Sequence, residues 1–278
     1  DADLDPDGDR LTSRDEFYAG TDPTVTTTAA SMSERQLLRL FQGKAFLYFW
    51  EQSRPPYHFT PDKANYNNPA DYSQNFNSIA TTGFSLLSYV IADERGWINH
   101  QAAYDRVRAL LARSVALQAP SYDQLGVPAN QQGNRHGYLY HFVDDQGFRH
   151  PVSEISTIDH ALFAAGALVA GEYYKGTEVE QLAQQLALNT DWNWLYNGTF
   201  LYQGWIEAPG GSYEGGNTLD LWNRYSELMI LLFLAMGHPD TANSLPANAW
   251  DALAYGTSRI FPYEYAHLVP GDAPQNFA

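Results

Sequence analysis

From Ser33 onward the chain repeats one pattern: a stretch with apolar residues every three or four positions, then a loop. Leu37, Leu40, Phe41, Leu47, Tyr48 and Trp50 set this period in the first stretch, which Ser33-Glu34 opens as a cap and a first-turn acid. Further helices are predicted over 77–95, 100–119, 153–174, 178–189, 221–236 and 247–255, the first of these ending at Arg95-Gly96, with glycine where a left-handed cap belongs. Strand patterns are confined to 138–143 and 200–206, read as short hairpin arms. Serial helices must bury their apolar stripes against one another. With long loops at 52–75, 120–137 and 196–220, the pattern predicts an all-α toroid of paired helices with a site at one mouth. A closed ring of six pairs needs twelve helices, and the chain stops after Gln275-Asn-Phe-Ala. The expectation is a toroid over 33–278 that lacks its C-terminal part and leaves helix faces open to aggregation or pairing.

Composition narrows what such a fold can serve. Hydrophobic residues make up 44% and charged residues 17% of 278, which describes a globular chain with a sizeable core. Aromatics reach 14%, and many lie among Gly, Asn and Pro, where they line a groove or fill a core beneath long loops. A net charge of −16 excludes a nucleic-acid partner and binding to an anionic membrane, and is compatible with a neutral substrate. There is no cysteine, hence no thiolate chemistry, and no apolar run of the roughly 18 residues that a membrane helix needs.

The first 22 residues hold eight acids against two bases. Asp5, Asp7, Asp9 and Glu16 occupy positions 1, 3, 5 and 12 of a loop, a spacing that surrounds Ca²⁺ with oxygen, Glu16 closing the shell from the first turn of a helix. Arg10 stands where an EF-hand has glycine, and Gly20-Thr21-Asp22-Pro23 follows, so the segment resembles the short Asp-rich calcium repeats of secreted bacterial proteins. The other reading is a solvated acidic linker end. Residues 1–23 are taken as this calcium-repeat-like segment and 24–32 as a linker. Because the sequence begins inside the motif, the expectation is a natural start upstream and a secreted or periplasmic protein without its signal peptide in this chain.

The richest stretch runs from Gly137 to Tyr174, where carboxylates, a histidine and aromatics gather at a loop that meets a long apolar helix. That mixture suits a site gripping a polar, ring-shaped substrate better than a core. No zinc, phosphate-loop, Ser/His/Asp or dinucleotide signature accompanies it.

Ser78-Ile-Ala-Thr-Thr-Gly-Phe84, Glu94-Arg-Gly-Trp97, Tyr140-His-Phe142, Glu154-Ile-Ser-Thr-Ile-Asp159, Asp191-Trp-Asn-Trp194 and Trp222-Asn-Arg-Tyr-Ser-Glu227 together resemble the glycoamylase-like family, which includes the bacterial endo-β-1,2-glucanases of glycoside hydrolase family 144. The resemblance implies an (α/α)6 toroid acting on a glucan, with inversion at the cleaved carbon. Two departures stand out: Asp62-Lys63 in place of Asp-Arg, and a loose match at Ala266-His-Leu-Val269.

Glycosidic cleavage needs one acid to protonate the leaving oxygen and a second carboxylate to activate water or to attack. Glu154, Glu227, Asp144 and Asp145 are the catalytic candidates, with Asp62 and Asp159 beside them. Glu154, after a Ser153 cap, is expected in the first helical turn, where a plain dipole-stabilising acid is the other reading. Asp159 then falls roughly 140° round the helix, as a hydrogen-bonding acid behind the site. Glu227 opens a helix apolar on nearly every side, which predicts partial desolvation and a general acid. Asp144 and Asp145 divide into a base and a turn residue, in an order left open. Trp192, Trp194, Trp205, Trp222 and Tyr225 are candidate sugar platforms, one or two of them core instead, and His141 is either a substrate contact or a structural histidine.

The favoured reading is an endo-acting, inverting hydrolase of β-1,2-glucan with a glucan polysaccharide or oligosaccharide as its partner and no catalytic cofactor. A toroid-fold lyase of uronates would need basic subsites, which 16 Lys plus Arg supply poorly. A non-catalytic glycan-binding protein and a transglycosylase or phosphorylase are the other readings.

Overall fold

A computed structural model describes residues 2–65, 76–123, 127–208, 212–222, 227–252, 255–260 and 263–268. Among these residues lie seven α-helices: α1 (Ser13–Ala19), α2 (Glu34–Gln52), α3 (Ile79–Glu94), α4 (His100–Leu117), α5 (Thr157–Tyr173), α6 (Glu178–Leu188) and α7 (Leu228–Met236). Six of the seven start where the sequence offers an oxygen to the first free N–H groups: Thr12, Ser33, Ser78, Asn99, Ser156 and Thr177 each accept from a main-chain amide of the first turn. No described helix is long and apolar enough to cross a membrane.

The helices alternate between two layers. α3, α5 and α7 pack side by side, and α2, α4 and α6 pack outside them, α4 also against α6. Sequence explains the sorting. α7 has no charged residue, and α3 and α5 have acids only near their ends, whereas α4 and α6 carry polar faces. Leu86 and Tyr89 of α3, Leu110 and Leu111 of α4, Phe163 and Ala167 of α5, Leu186 of α6 and Leu231 of α7 fill the space between. The inner helices also leave apolar side chains open, among them Phe84, Ile91, Val169 and Phe233, the last 61% exposed.

The strands are short ties. β1 (Asn77–Ser78) pairs with β4 (Phe142–Val143), and β2 (Asn134–Arg135) with β3 (Tyr138–Leu139). β5 (Ile155–Ser156), β6 (Gly204–Ala208) and β7 (Ser212–Thr218) form a three-stranded sheet, and β8 (Tyr255–Ile260) pairs with β9 (Tyr263–Leu268). The fold is therefore mostly helical rather than purely so. Expected helix bounds move where main-chain pairing claims the residues first: Asn77 and Ser78 pair with Val143 and Phe142, so α3 begins at Ile79. Ile155 and Ser156 pair with Trp205 and Gly204, so α5 begins at Thr157. Leu221 bridges Tyr202, and α7 begins at Leu228. The helix expected over 247–255 is a single 3₁₀ turn, Ala247–Ala249, followed by the β8–β9 hairpin, whose Tyr, Thr and Ile content favours strand.

One contact sets the spacing of the inner layer. A Cβ added at Gly166 of α5 would lie 2.3 Å from the Gly83 carbonyl oxygen of α3, and one at Gly83 would lie 2.6 Å from the Leu162 carbonyl oxygen. Both obstacles are main chain and cannot rotate aside. Alanine is favoured over glycine inside a helix by about 1 kcal/mol, but overpacking a tight contact costs about 1–3 kcal/mol or more. Gly166→Ala is therefore expected to destabilise the chain by about 1–2 kcal/mol, read as a lower urea midpoint at unchanged slope. An unchanged or raised midpoint would show that the helices are free to part.

Candidate active site

The ties converge on the N-terminal ends of α3 and α5. Pro61 bridges Asn77, Ser78 pairs with Phe142, and the Ile79 amide donates to the His141 carbonyl at 3.1 Å. The His141 amide in turn donates to the Glu154 carbonyl at 3.0 Å, and Thr157 to Gln203 at 3.0 Å. A ladder of main-chain bonds thus runs across the mouths of two inner helices, and the side chains of its loops face one another.

At its centre stands His141. Its Nδ1 lies 2.7 Å from Glu154 Oε1 and its Nε2 lies 3.4 Å from Asp159 Oδ1. The ring stacks on Phe142, and all three polar side chains are partly exposed. Asp159 accepts from the Ser156 hydroxyl, which also caps α5. Here the geometry corrects the sequence reading. Glu154 is not in a helical turn; it precedes β5, and Asp159 takes the first-turn position. Freed from the helix, Glu154 turns back so that both acids hold the same imidazole.

The charges follow. Burial alone would push His141 down, but the hydrogen bond it donates to Glu154 and the charges of Asp159, Glu154 and Asp62 outweigh it and hold its pKa above the ordinary 6.5. Burial would push Glu154 up, but His141, its own main-chain N–H and the Arg149 charge hold it below the ordinary 4.5. Between pH 4.5 and 6.5 the pair is a carboxylate beside an imidazolium.

Asp62 is exposed on the segment that Thr60 and Pro61 pin to α3 and α2: the Thr60 amide donates to Thr82 Oγ1 at 3.0 Å and Tyr48 donates to the Pro61 carbonyl at 2.6 Å. Burial, with the Asp62 charge, pushes the Tyr48 phenol up to about 12. Asp144 is the turn residue, accepting from the Gln146 and Phe148 amides at 2.8 and 2.9 Å. Asp145 faces Arg54 at 2.7 Å and Asn77 at 3.1 Å. Glu227 stands exposed at the start of α7, not half-desolvated as the apolar run suggested, because its side chain precedes the buried part of that helix.

The aromatics divide. Trp192, 1% exposed, packs edge-on against Tyr138 and belongs to the core. Trp205 is buried, with its ring 5.8 Å from that of Trp194. Trp194 is half-buried and stacks on His136 with ring centres 4.4 Å apart, and Trp222, also half-buried, donates to Thr157 Oγ1 at 3.0 Å. Tyr225 lies outside the described residues. Asp5, Asp7, Asp9 and Glu16 are in the head, whose α1 packs on α2.

Sequence reasoning missed the acid buried beside this site. The Glu207 side chain is 0% exposed and lies 2.7 Å from Arg135 Nη2 and 2.9 Å from Arg149 Nη1, with the Tyr140 hydroxyl donating to it. Arg149 Nε also donates to the Ser153 carbonyl at 2.9 Å, which anchors the residue before Glu154. The available signal was the alternation in β6, with Trp205 and Glu207 inward and Ile206 outward. His160 is the opposite case: fully buried, bonded at Nδ1 to the Leu139 amide and at Nε2 to Thr190, and pushed by burial down to about 3, it is a neutral structural histidine.

No protein-family profile matches the chain. Over 230 residues it is 25% identical to an exo β-1,2-glucooligosaccharide sophorohydrolase (non-reducing end) of Parabacteroides distasonis, a match covering 78% of this chain and 28% of that protein. Its fold is similar to that of the endo-β-1,2-glucanase from Chitinophaga pinensis, solved with sophorotriose and glucose, at a TM-score of 0.63 and 18% identity, over 84% of this chain and 55% of that one. A β-1,2-glucanase structure from Parabacteroides distasonis aligns at 0.60 and 18% identity, over 82% of this chain and 30% of that one. The chain thus spans between about a quarter and a little over half of the length of these relatives. The mostly helical fold is shared, over most of this chain, with the glucoamylase-like toroid enzymes. Within them, the chain is similar to the endo-β-1,2-glucanases of glycoside hydrolase family 144, as its motifs imply.

The ion pair gives a direct test. Glu154, lowered, contributes stability that is present above pH 4.5 and lost as pH falls through its folded value; His141, raised, contributes stability present below pH 6.5 and lost as pH rises through its own. The stability difference between the wild type and Glu154→Gln, from urea unfolding, is therefore widest between pH 4.5 and 6.5. By NMR the His141 ring titrates above 6.5 in the wild type and moves down in Glu154→Gln. A ring that titrates alike in both proteins would sink the pairing.

Proposed function

We propose that the chain carries the acid/base machinery of a glycoside hydrolase that cleaves β-1,2-linked glucan, acting endo and with inversion. The observation that supports this most is the His141–Glu154–Asp159 cluster, partly open to solvent at the mouth of a glucoamylase-like toroid. The names of the relatives agree on the β-1,2 linkage and differ on where the chain is cut, one exo from the non-reducing end and one endo.

In this reading Glu154 is the base. It is held ionised, and His141 with Asp159 fixes its direction. Its carboxylate takes a proton from water as the water oxygen bonds to the anomeric carbon from the face opposite the scissile bond. Glu227, open to solvent at the start of α7, donates a proton to the departing glycosidic oxygen as the C–O bond breaks. Inversion requires a gap of about 6.5–9.5 Å between the two carboxyl groups to admit that water. Asp62 and Asp145 lie around the same mouth and are assigned to sugar hydroxyls, Asp145 with Arg54 as its counter-charge. Trp194 and Trp222 supply the apolar faces, and a neutral glucan carries no charge for an acidic protein to repel.

The test is release of reducing ends from β-1,2-glucan, β-1,3-glucan and starch. Activity on the first alone is expected, reduced roughly 10²- to 10⁴-fold in Glu154→Gln and in Glu227→Gln. A mixture of oligosaccharide lengths early in the reaction supports endo action, and a single disaccharide product overturns it. The first anomer formed, seen by NMR, is α for inversion and β for retention. A folded protein that binds β-1,2-glucan without turnover would instead be a glycan-binding domain.

A further inference from the structure

The acidic head holds a feature that glucan cleavage does not use. Asp5, Asp7 and Asp9 each present a carboxylate oxygen within 4.8 Å of the other two. They are also bonded to their own loop. Asp5 accepts from the Gly8 and Asp9 amides at 2.8 and 3.1 Å and from Arg10 at 2.9 Å, and Asp9 accepts from Leu11 at 2.7 Å. Such turns occur without any ion and decide nothing.

Glu16 is placed differently. It is 0% exposed, its Oε1 accepts from the Thr21 hydroxyl at 3.2 Å, and its Oε2 is buried with no hydrogen-bond partner. Asp7, Asp9 and Asp22 stand close enough for their charges to act on it. The Asp7 Oδ2 is likewise buried and unpartnered. Ionised, Glu16 is a buried charge among like charges; protonated, its O–H has no acceptor. Neither state satisfies the group. Among the described residues no cationic side chain pairs with these four acids: Arg14 is engaged by Asp3 and Glu51, and Lys44 by Asp15. A cation from solution satisfies what the chain leaves open.

We infer that Asp5, Asp7, Asp9 and Glu16 bind one Ca²⁺ that locks the head onto α2. The donor set is four carboxylates, on a loop whose Arg10 already takes the left-handed conformation (φ 77°) at the position where such loops turn. Calcium tolerates the high and irregular coordination of such a loop, while Mg²⁺ demands a strict octahedron and sheds water reluctantly. The mechanical consequence follows from what the ligands hold. Glu16 lies on α1 two residues before Tyr18, whose ring covers Gly43 of α2 and meets Trp97 edge-on at 5.2 Å. Asp9 also accepts from the Thr27 amide, so the same ion secures the segment that leads into α2.

The test uses the full chain, stripped with EDTA and titrated with CaCl₂ or MgCl₂ by calorimetry, alongside thermal unfolding. One Ca²⁺ per chain is expected, at least tenfold tighter than Mg²⁺. Tm should rise by about 5 °C or more at a hundredfold excess over Kd, and cleavage by trypsin at Arg14 should slow. Glu16→Gln should abolish the Ca²⁺-dependent rise yet unfold at or above the wild-type Tm in EDTA, since it removes the buried charge. Should that variant fail to fold, Asp5→Asn, at an exposed ligand, must still lose Ca²⁺ binding at least tenfold. A wild type that shows no heat and no Tm shift up to millimolar Ca²⁺ would overturn the site, as would a shift retained in full by either variant.

Discussion

Everything at the candidate site rests on how closely α3 and α5 approach. The two glycines at their crossing leave no room for a side chain between the backbones, so the N-terminal ends of both helices are held at one fixed separation. Each end is capped by a serine, Ser78 or Ser156, and each serine sits in a two-residue strand. The loop from Tyr140 to Ser156 spans the gap between those strands and is bonded to both. His141 therefore cannot move without unpicking main-chain bonds on either side. A looser helix pair would leave the same residues present and the geometry lost.

Two charge clusters share this region and behave differently. The Arg135–Glu207–Arg149 group, with Tyr140, is closed to water, and its burial keeps the Tyr140 phenol neutral and donating. Removing one member of such a group strands the others, at a cost of about 3–5 kcal/mol. The His141–Glu154–Asp159 group is partly open and can exchange protons with solvent. The first cluster is suited to holding position and the second to changing charge, and Arg149 joins them through the Ser153 carbonyl. His160, nearby and buried, is excluded from proton chemistry by the same burial that makes it a good structural residue.

Much of the fold was legible. The Ser33 cap and the helix it opens follow from local rules, as do the helices expected over 77–95, 100–119 and 178–189. The misplaced bounds share a cause. Ser153, Glu154 and Leu221 sit in runs whose composition allows helix, but partners far along the chain draw the residues around them into extended pairs. The same shift misled the reading of Glu154 and Asp159, which helical geometry would hold apart. Trp192 and Trp194, two residues apart in one motif, looked equivalent. One is buried against Tyr138 and the other is half-buried over His136, because only the packed fold decides which ring faces inward.

By itself the sequence determined helix period, caps, charge balance and the resemblance to glucan-cleaving toroids, because these depend on residues within a few positions or on simple totals. Tertiary structure alone decided which acids meet. Glu207 finds Arg149 across 58 residues and Tyr140 across 67, and Glu154 joins Asp159 on one imidazole only because a strand replaces a helical turn. Such meetings leave no local pattern, since the interaction energy belongs to a distance that forms after the helices have packed.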